Sequence, residues 1–171
     1  MNRRGFIKLA GLTTVGLGWC LLRPTPAVSA LKIGDTLPKA DLLDRNGQRV
    51  SLPGDLRGRV GLLHFWASWC PYCLKEILAI ESLYQTYKHK SFSPHSINVG
   101  ETAAAVEAFL AHSRISYSIV LDKHSSLARQ YGVTGIPTTL IVGRDGLIRF
   151  KILGEIPKDN LAKLVSPLLA L

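Results

Sequence analysis

The sequence predicts an α/β protein in which helices flank a central mixed β-sheet. The run from Val60 to Trp66 is apolar on both alternating faces, which suits a strand buried inside a sheet with helices on each side. The segment after it carries apolar and aromatic side chains at helical spacing, at Leu74, Ile77, Ile80, Tyr84 and Tyr87. Further short apolar runs and helical patterns then alternate toward the C-terminus.

Two stretches of alternating polarity precede the central run, at 39–43 and 49–52. Asn46-Gly47 lies between them and is a strong turn signal. We therefore expect an N-terminal β-hairpin packed beside the main sheet.

The strand after the first helix is expected within Phe92–Val99. Pro94 argues against a regular central strand there, because proline has no N–H to donate to the sheet. The remaining elements are predicted as a helix over 103–113, a strand over 117–121, a helix over 126–131, a strand over 138–142, a turn at 144–146, a strand over 147–153 and a helix over 157–168.

Cys70 and Cys73 stand where the central strand gives way to the first helix, and Pro71 between them suits a first helical turn. Unpaired N–H groups and the positive end of the helix dipole stabilise a thiolate at that place. We predict that Cys70 is an exposed nucleophile, and that Cys73, shielded by the helix, is the thiol that resolves the mixed disulfide.

The cysteine pair has two other interpretations. Half of a zinc site needs a second pair of ligands, and the sequence has no second Cys-x-x-Cys pair. An inert structural disulfide is the other alternative.

Two motifs resemble known sequences. Trp66-Ala67-Ser68-Trp69-Cys70-Pro71-Tyr72-Cys73 resembles the active-site segment of the thioredoxin superfamily, and Tyr131 to Thr139 resembles its second signature. The resemblance implies a thioredoxin-like fold and a thiol–disulfide oxidoreductase. It also implies no metal and no organic cofactor, since electrons travel through the dithiol itself.

The flanking sequence resembles one branch of that superfamily. Ile33-Gly34-Asp35, the Asn46-Gly47 turn and Leu56-Arg57-Gly58 are similar to the opening of TlpA-like and peroxiredoxin-like proteins. Peroxiredoxins lack the paired-cysteine segment, which favours the TlpA-like branch. The helical segment 103–113 resembles the extra unit inserted in TlpA-like proteins, including the ResA-type reductases of cytochrome c maturation.

The resemblance also implies how substrate is held. The Ile136–Pro137 bond is expected to be cis and to lie against the cysteines, so that the Ile136 backbone pairs with an extended substrate peptide. With these two residues, we expect substrate contacts from Trp69, Pro71 and Tyr72.

Two side chains are candidates for the proton of Cys73. His64 lies six residues before Cys70, where thioredoxin-like proteins often carry a buried Asp, and imidazole exchanges protons near neutral pH. Glu76 competes for this role, because it matches an acidic residue of ResA-type reductases. The alternatives are a structural core histidine and a solvated glutamate.

Residues 1–30 are predicted to be an export signal, which leaves a thioredoxin-like domain over 31–171. Arg3-Arg4 resembles a twin-arginine signal, a weakly apolar stretch follows over 9–22, and small residues end it at Ala27–Ala30. An uncleaved membrane anchor is the alternative, but 14 residues fall short of the ~20 that span a bilayer. The expected location is the periplasm.

The formal net charge is +9, with 21 Lys and Arg against 12 Asp and Glu. The basic residues do not cluster as a nucleic-acid footprint does, so no nucleic-acid partner is expected.

We therefore predict a periplasmic reductase of disulfides in exported proteins, with the haem-attachment cysteines of apocytochrome c as a candidate substrate. Its expected electron donor is a membrane thiol carrier of the DsbD type. The alternatives are an oxidase that introduces disulfides and a copper-binding module. For copper, His95, His112 and His124 stand in no recognisable arrangement.

Overall fold

The structure, a computed structural model, describes residues 30–170. Its strands and helices, in chain order, are β1 (Ala40–Asp44), β2 (Arg49–Leu52), β3 (Val60–Trp66), α1 (Cys73–Tyr87), β4 (Phe92–Val99), α2 (Ala103–Leu110), β5 (Ser118–Asp122), α3 (Ser126–Gln130), β6 (Thr138–Val142), β7 (Ile148–Leu153) and α4 (Lys158–Ala170). The seven strands form a mixed sheet in the order β2-β1-β5-β4-β3-β6-β7. The predicted α/β class is confirmed.

The strand β3 positions the rest of the molecule, and all of its residues are buried. It runs parallel to β4 and antiparallel to β6. Trp66 lies opposite Asn98 on one side, and Phe65 lies opposite Thr138 on the other. The C-terminal ends of β3 and β4 and the start of β6 therefore meet at one end of the sheet.

Hydrophobic clusters cover both faces of the sheet, as the apolar run in β3 predicted. One cluster packs α1, α2 and α4 against β3 and contains both cysteines. The other packs α3 and the N-terminal hairpin against the opposite face. Alternate side chains of β3 enter the two clusters, Leu62 and Trp66 the first and Leu63 and Phe65 the second.

The hairpin β1–β2 is present, with Asn46-Gly47 in its turn. The prediction that it packs beside the main sheet is wrong in one respect, because β1 pairs with β5 through Leu43 and Leu121 and so extends the sheet. The outer edge of β5 would otherwise present unpaired backbone groups, which a further strand satisfies.

A regular strand runs through Pro94, contrary to the doubt that this residue raised. Pro94 pairs with Leu62 of β3, whereas β5 begins only opposite His95, one residue further on. The missing N–H therefore falls where β4 has a neighbour on one side only, the position at which a strand tolerates proline.

The helix bounds differ slightly from those predicted. The helix α2 ends at Leu110 rather than residue 113, and α4 continues past Pro167 to Ala170. The predicted export signal lies outside the described residues, apart from Ala30. Among the described residues, none of the helices has the length and apolar character needed to cross a membrane.

Candidate active site

Cys70 and Cys73 form a disulfide at the start of α1, with their Cα atoms 5.5 Å apart. The Cys73 N–H donates to the Cys70 carbonyl at 3.3 Å, which closes a tight turn through Pro71 and Tyr72. The predicted junction of strand and helix is therefore present. Pro71 lies in the turn before α1 rather than in its first turn, because the first helical residue is Cys73.

The two cysteines differ in exposure, but less than predicted. Cys73 is fully buried, whereas Cys70 is 4% exposed rather than open to solvent. The expectation of an exposed Cys70 is wrong for this disulfide form, in which the bond to Cys73 holds its sulfur within the core cluster of α1. The remaining exposure is at Cys70, the cysteine expected to react with substrate.

Large apolar side chains stand in the open beside the disulfide. Trp69 is 72% exposed and Tyr72 is 54% exposed, and Pro71 between them is also exposed. Neighbouring exposed apolar side chains form the kind of patch that marks a binding surface. Trp69 precedes Cys70, whereas Pro71 and Tyr72 lie between the two cysteines.

The Ile136–Pro137 bond is cis, as the resemblance implied. The register of β6 on β3 places Pro137 at the end of the sheet from which the cysteine loop leaves. Half-buried Ile136 packs against the cluster that contains the cysteines. Within residues 30–170, the N–H and carbonyl of Ile136 take part in no backbone hydrogen bond.

His64 and Glu76 form a buried pair rather than two competing candidates. Nε2 of His64 lies 2.8 Å from Oε2 of Glu76, and their side chains are 0% and 2% exposed. The oxygen is out of line with the ring N–H, so the contact is an ion-pair approach rather than a linear hydrogen bond. The alternative of a solvated glutamate is wrong, because Glu76 faces the core on the same side of α1 as Cys73.

The pair continues into polar groups that sequence reasoning missed. Nδ1 of His64 lies 3.2 Å from Oγ of Ser96, which lies 2.8 Å from the Tyr117 hydroxyl. That hydroxyl donates to the carbonyl of Ile77 in α1 at 3.3 Å. Burial raises the pKa of Tyr117, which therefore remains a neutral donor. The sequence held one sign of this contact. Ser96 is a polar residue two positions after Pro94 in β4, and it pairs with His64 of β3.

The sequence also did not predict that the connection between β7 and α4 contacts the site. It does so through three successive residues. The N–H of Gly154 donates to the Pro137 carbonyl at 2.9 Å. Glu155 pairs with Lys75 at 2.8 Å, and the N–H of Ile156 donates to Oε1 of Glu76 at 2.5 Å. This connection thereby joins the cis-proline loop to the first turns of α1.

Glu101, after β4, holds the loop that leads to the cysteines. Its carboxylate accepts from the Ser68 N–H at 2.8 Å, the Ser68 hydroxyl at 2.5 Å and the Asn98 amide at 2.6 Å. Partial burial acts to raise the pKa of Glu101, but these hydrogen bonds outweigh it and lower the pKa below its usual value. Asn98 lies opposite Trp66 in the sheet. Glu101, three residues after Asn98, is therefore close to the loop that begins after Trp66.

A copper site would require further ligands close to the cysteines. In the part of the chain that the structure describes, no three His, Cys, Asp or Glu side chains come together as metal ligands do. His95, His112 and His124 are not brought to the cysteines in any such group.

Known proteins resemble this chain over most of its length. A model of the AhpC/TSA family matches residues 33–151. The thiol-disulfide oxidoreductase ResA of Bacillus anthracis is 31% identical over 131 residues, which cover 77% of this chain and 75% of that protein. ResA of Bacillus subtilis (strain 168) is 30% identical over 150 residues, which cover 86% of this chain and 83% of that protein.

The fold resembles a solved structure from Chlorobium tepidum described as a thiol:disulfide interchange protein DsbE. The TM-score is 0.76 at 30% sequence identity, covering 82% of this chain and 99% of that chain. The paired cysteines, the cis-proline loop and these likenesses agree with one another. The chain belongs to the AhpC/TSA family and is a thioredoxin-like thiol–disulfide oxidoreductase related to ResA.

Proposed function

We propose that this protein reduces disulfides in exported proteins, with Cys70 as nucleophile and Cys73 as resolving thiol. The observation that carries the direction is the burial of Glu76 on the face of α1 that also bears Cys73. A dithiol becomes a strong oxidant when its reduced form is stabilised. A buried carboxyl one turn away does not stabilise a Cys73 thiolate, so the reduced dithiol gives up its electrons readily.

The reaction proceeds through a mixed disulfide. The Cys70 thiolate attacks one sulfur of the substrate disulfide, and the other substrate sulfur leaves as a thiolate. Cys73 then loses its proton to the His64–Glu76 pair and attacks Sγ of Cys70, which restores the protein disulfide and releases the second substrate thiolate. Two electrons pass from the protein dithiol to the substrate. This route uses no metal and no organic cofactor.

Substrate is held by the exposed side chains and the free backbone around the disulfide. Trp69, Pro71 and Tyr72 supply an apolar surface for the residues next to the substrate disulfide. The unpaired backbone groups of Ile136 accept an extended peptide, as a strand is added to a free edge. Pro137, the residue after Ile136, is buried and anchors this backbone to the core.

The predicted export signal over residues 1–30 directs the protein to the periplasm. A membrane thiol carrier of the DsbD type would return the Cys70–Cys73 disulfide to the dithiol form there. The haem-attachment cysteines of apocytochrome c are the candidate substrate, because they must be reduced before haem is attached. We propose no nucleic-acid partner.

The test is the reduction potential of the Cys70–Cys73 pair. The purified protein is equilibrated in thiol–disulfide buffers, and the fraction oxidised is followed by tryptophan fluorescence. A potential near that of thioredoxin, about −270 mV, supports a reductase. A potential near about −120 mV identifies an oxidase that introduces disulfides, and the proposed direction is then wrong. Cys70→Ser, which cannot form the disulfide, gives the baseline fluorescence.

A further inference from the structure

A continuous chain of polar contacts leaves α1, passes through β3 and β4 and returns to α1. It runs from Glu76 to His64 over 2.8 Å, from His64 to Ser96 over 3.2 Å and from Ser96 to Tyr117 over 2.8 Å. It ends at the carbonyl of Ile77, 3.3 Å from the Tyr117 hydroxyl. Its four side chains are at most 5% exposed, so water does not compete for these bonds.

The end of the chain fixes the direction of every hydrogen bond in it. The Ile77 carbonyl can only accept, so the single proton of the Tyr117 hydroxyl is donated to it. The contact between Tyr117 and Ser96 is then donated by Ser96, which uses the only proton of that hydroxyl. Ser96 is left as an acceptor toward His64, and Nδ1 of His64 must carry a proton.

This assignment determines what lies between His64 and Glu76. With a proton on Nδ1, a neutral imidazole leaves Nε2 unprotonated and electron-rich, 2.8 Å from a carboxyl oxygen that lies out of line with its lone pair. An ionised carboxylate this close to an electron-rich nitrogen is repelled by it. The contact is favourable only when the pair holds one further proton, either on Nε2 as imidazolium or on Oε2 as carboxylic acid.

We propose that Ser96 and Tyr117 are positioning residues that fix the proton on Nδ1 of His64, so that the His64–Glu76 pair stores one proton for exchange with Cys73. The inference deepens the proposed function and depends on the role given there to Cys73. Among titratable groups, Glu76 of α1 contacts His64 directly, and Tyr117, in the segment before β5, reaches it through Ser96. Cys73 lies in the core cluster on the face of β3 that also bears His64. On the other side, β6 presents Thr139 opposite His64, which does not titrate.

The stored proton balances both half-reactions. When a thiolate of a reducing dithiol attacks Sγ of Cys70, the Cys70–Cys73 bond breaks and Cys73 leaves as a thiolate. The pair gives its proton to that thiolate. The second thiolate of the donor then attacks the donor sulfur bound to Cys70, which forms the donor disulfide and releases Cys70 as a thiolate. Cys70 attacks the substrate disulfide, forms a mixed disulfide and releases one substrate thiolate. The Cys73 thiol returns its proton to the pair and attacks Sγ of Cys70, which releases the second substrate thiolate. Two electrons have then moved from donor dithiol to substrate disulfide, and the pair holds its proton again.

The protonation of His64 is measured directly by ¹⁵N NMR of the imidazole rings in the oxidised full-length protein. We expect a ring nitrogen pattern with Nδ1 protonated. A neutral ring with a proton on Nε2 alone overturns the proposal. This measurement does not depend on the direction of electron flow, so it remains decisive if the proposed function fails.

The role in exchange is tested with Tyr117→Phe, which leaves the ring in place but frees the Ser96 proton to turn toward His64. Reduced protein is mixed with a chromogenic aromatic disulfide, from which Cys70 releases one thiolate and Cys73 a second. We expect the second release to slow by about tenfold and its pH profile to shift, with the first unchanged. Ser96→Ala, which removes the acceptor of Nδ1, should act in the same direction.

Tyr84→Phe is the matched control, because Tyr84 packs edge-on against Tyr117, with ring centroids 6.1 Å apart, but lies outside the chain of contacts. It should leave both releases unchanged. An unaltered rate and pH profile of the second release in both Tyr117→Phe and Ser96→Ala would overturn the positioning role. A wild-type protein that never gives a second release would instead refute the proposed resolving role of Cys73.

Discussion

Oε2 of Glu76 lies 2.8 Å from Nε2 of His64, with both side chains withdrawn from solvent. One residue comes from the central strand and the other from the helix that begins at Cys73. The two groups therefore share any proton that either of them takes from Cys73, and removal of one changes the state of the other. Their effects on the reaction should be strongly non-additive.

Glu76→Gln should slow the resolution of a mixed disulfide on the order of 100-fold, because it removes a proton acceptor on the face of α1 that bears Cys73. The measurement is a single-turnover reaction that follows the second thiolate released. Glu81→Gln is the control on the same helix, since Glu81 is bonded to Ser116 and Gln85 instead. Equal rates in Glu76→Gln and Glu81→Gln would remove Glu76 from the mechanism.

His64→Leu should lower the free energy of unfolding by about 3–5 kcal/mol, because it leaves the buried Glu76 without its partner. The double variant His64→Leu/Glu76→Leu should be more stable than His64→Leu alone, since an apolar pair leaves no uncompensated charge. Urea unfolding of the three proteins at neutral pH measures both differences. A double variant less stable than His64→Leu would contradict this account of the pair.

Stability should fall as the pH decreases from about 6.5 to about 4 because of His95. Burial lowers the pKa of His95 to about 4, with a smaller lowering from Arg59 opposed by Asp55 and Asp44. In this window the unfolded chain binds a proton at His95 that the folded chain does not, so acid favours unfolding. The difference between this pKa and that of an ordinary histidine corresponds to a loss of about 3 kcal/mol in the free energy of unfolding once the pH is below 4.

The pH effect is measured as the urea midpoint of the protein and of His95→Gln between pH 7 and pH 5.5. This range ends about one pH unit above the ordinary pKa of glutamate, so carboxyl groups such as Glu101 contribute little to it. The slope should be much flatter in His95→Gln. The same slope in both proteins would mean that another group binds the proton.

Glu101→Gln should loosen the loop before the cysteines. The carboxylate accepts three hydrogen bonds from Ser68 and Asn98, and bonds to a charged acceptor contribute about 1.5–3 kcal/mol each. We expect the Ser68 amide to exchange with deuterium at least about tenfold faster. Glu107→Gln, an exposed change on α2, should leave that rate unaltered.

The sequence was most informative where a structural feature is local. The apolar run of β3, the cysteines at the helix start and the Ile136–Pro137 loop are each contained in a few consecutive residues, and all three are present. Helical spacing also put Glu76 near Cys73. Periodicity alone did not decide whether that face of the helix was buried.

The parts that sequence reasoning missed depend on residues far apart in the chain. Ser96 lies 32 residues from His64, and the two meet because β4 pairs in parallel with β3 in a register that no local pattern reveals. Ile156 lies 80 residues from Glu76. The doubt about a strand at Pro94 was wrong for a related reason. Proline has a poor propensity for a central strand, and β4 tolerates it only because β5 begins opposite the next residue.

The exposed aromatic groups beside the disulfide give the last prediction. Trp69→Ala should raise the KM for a protein disulfide several-fold with little change in kcat, because Trp69 is 72% exposed and contributes contact area rather than chemistry. Its thermal stability should match that of the parent for the same reason. Leu43→Ala is the matched control, since Leu43 is 56% exposed on the hairpin and should change neither constant. An unchanged KM in Trp69→Ala would mean that substrate binds through the Ile136 backbone without this surface.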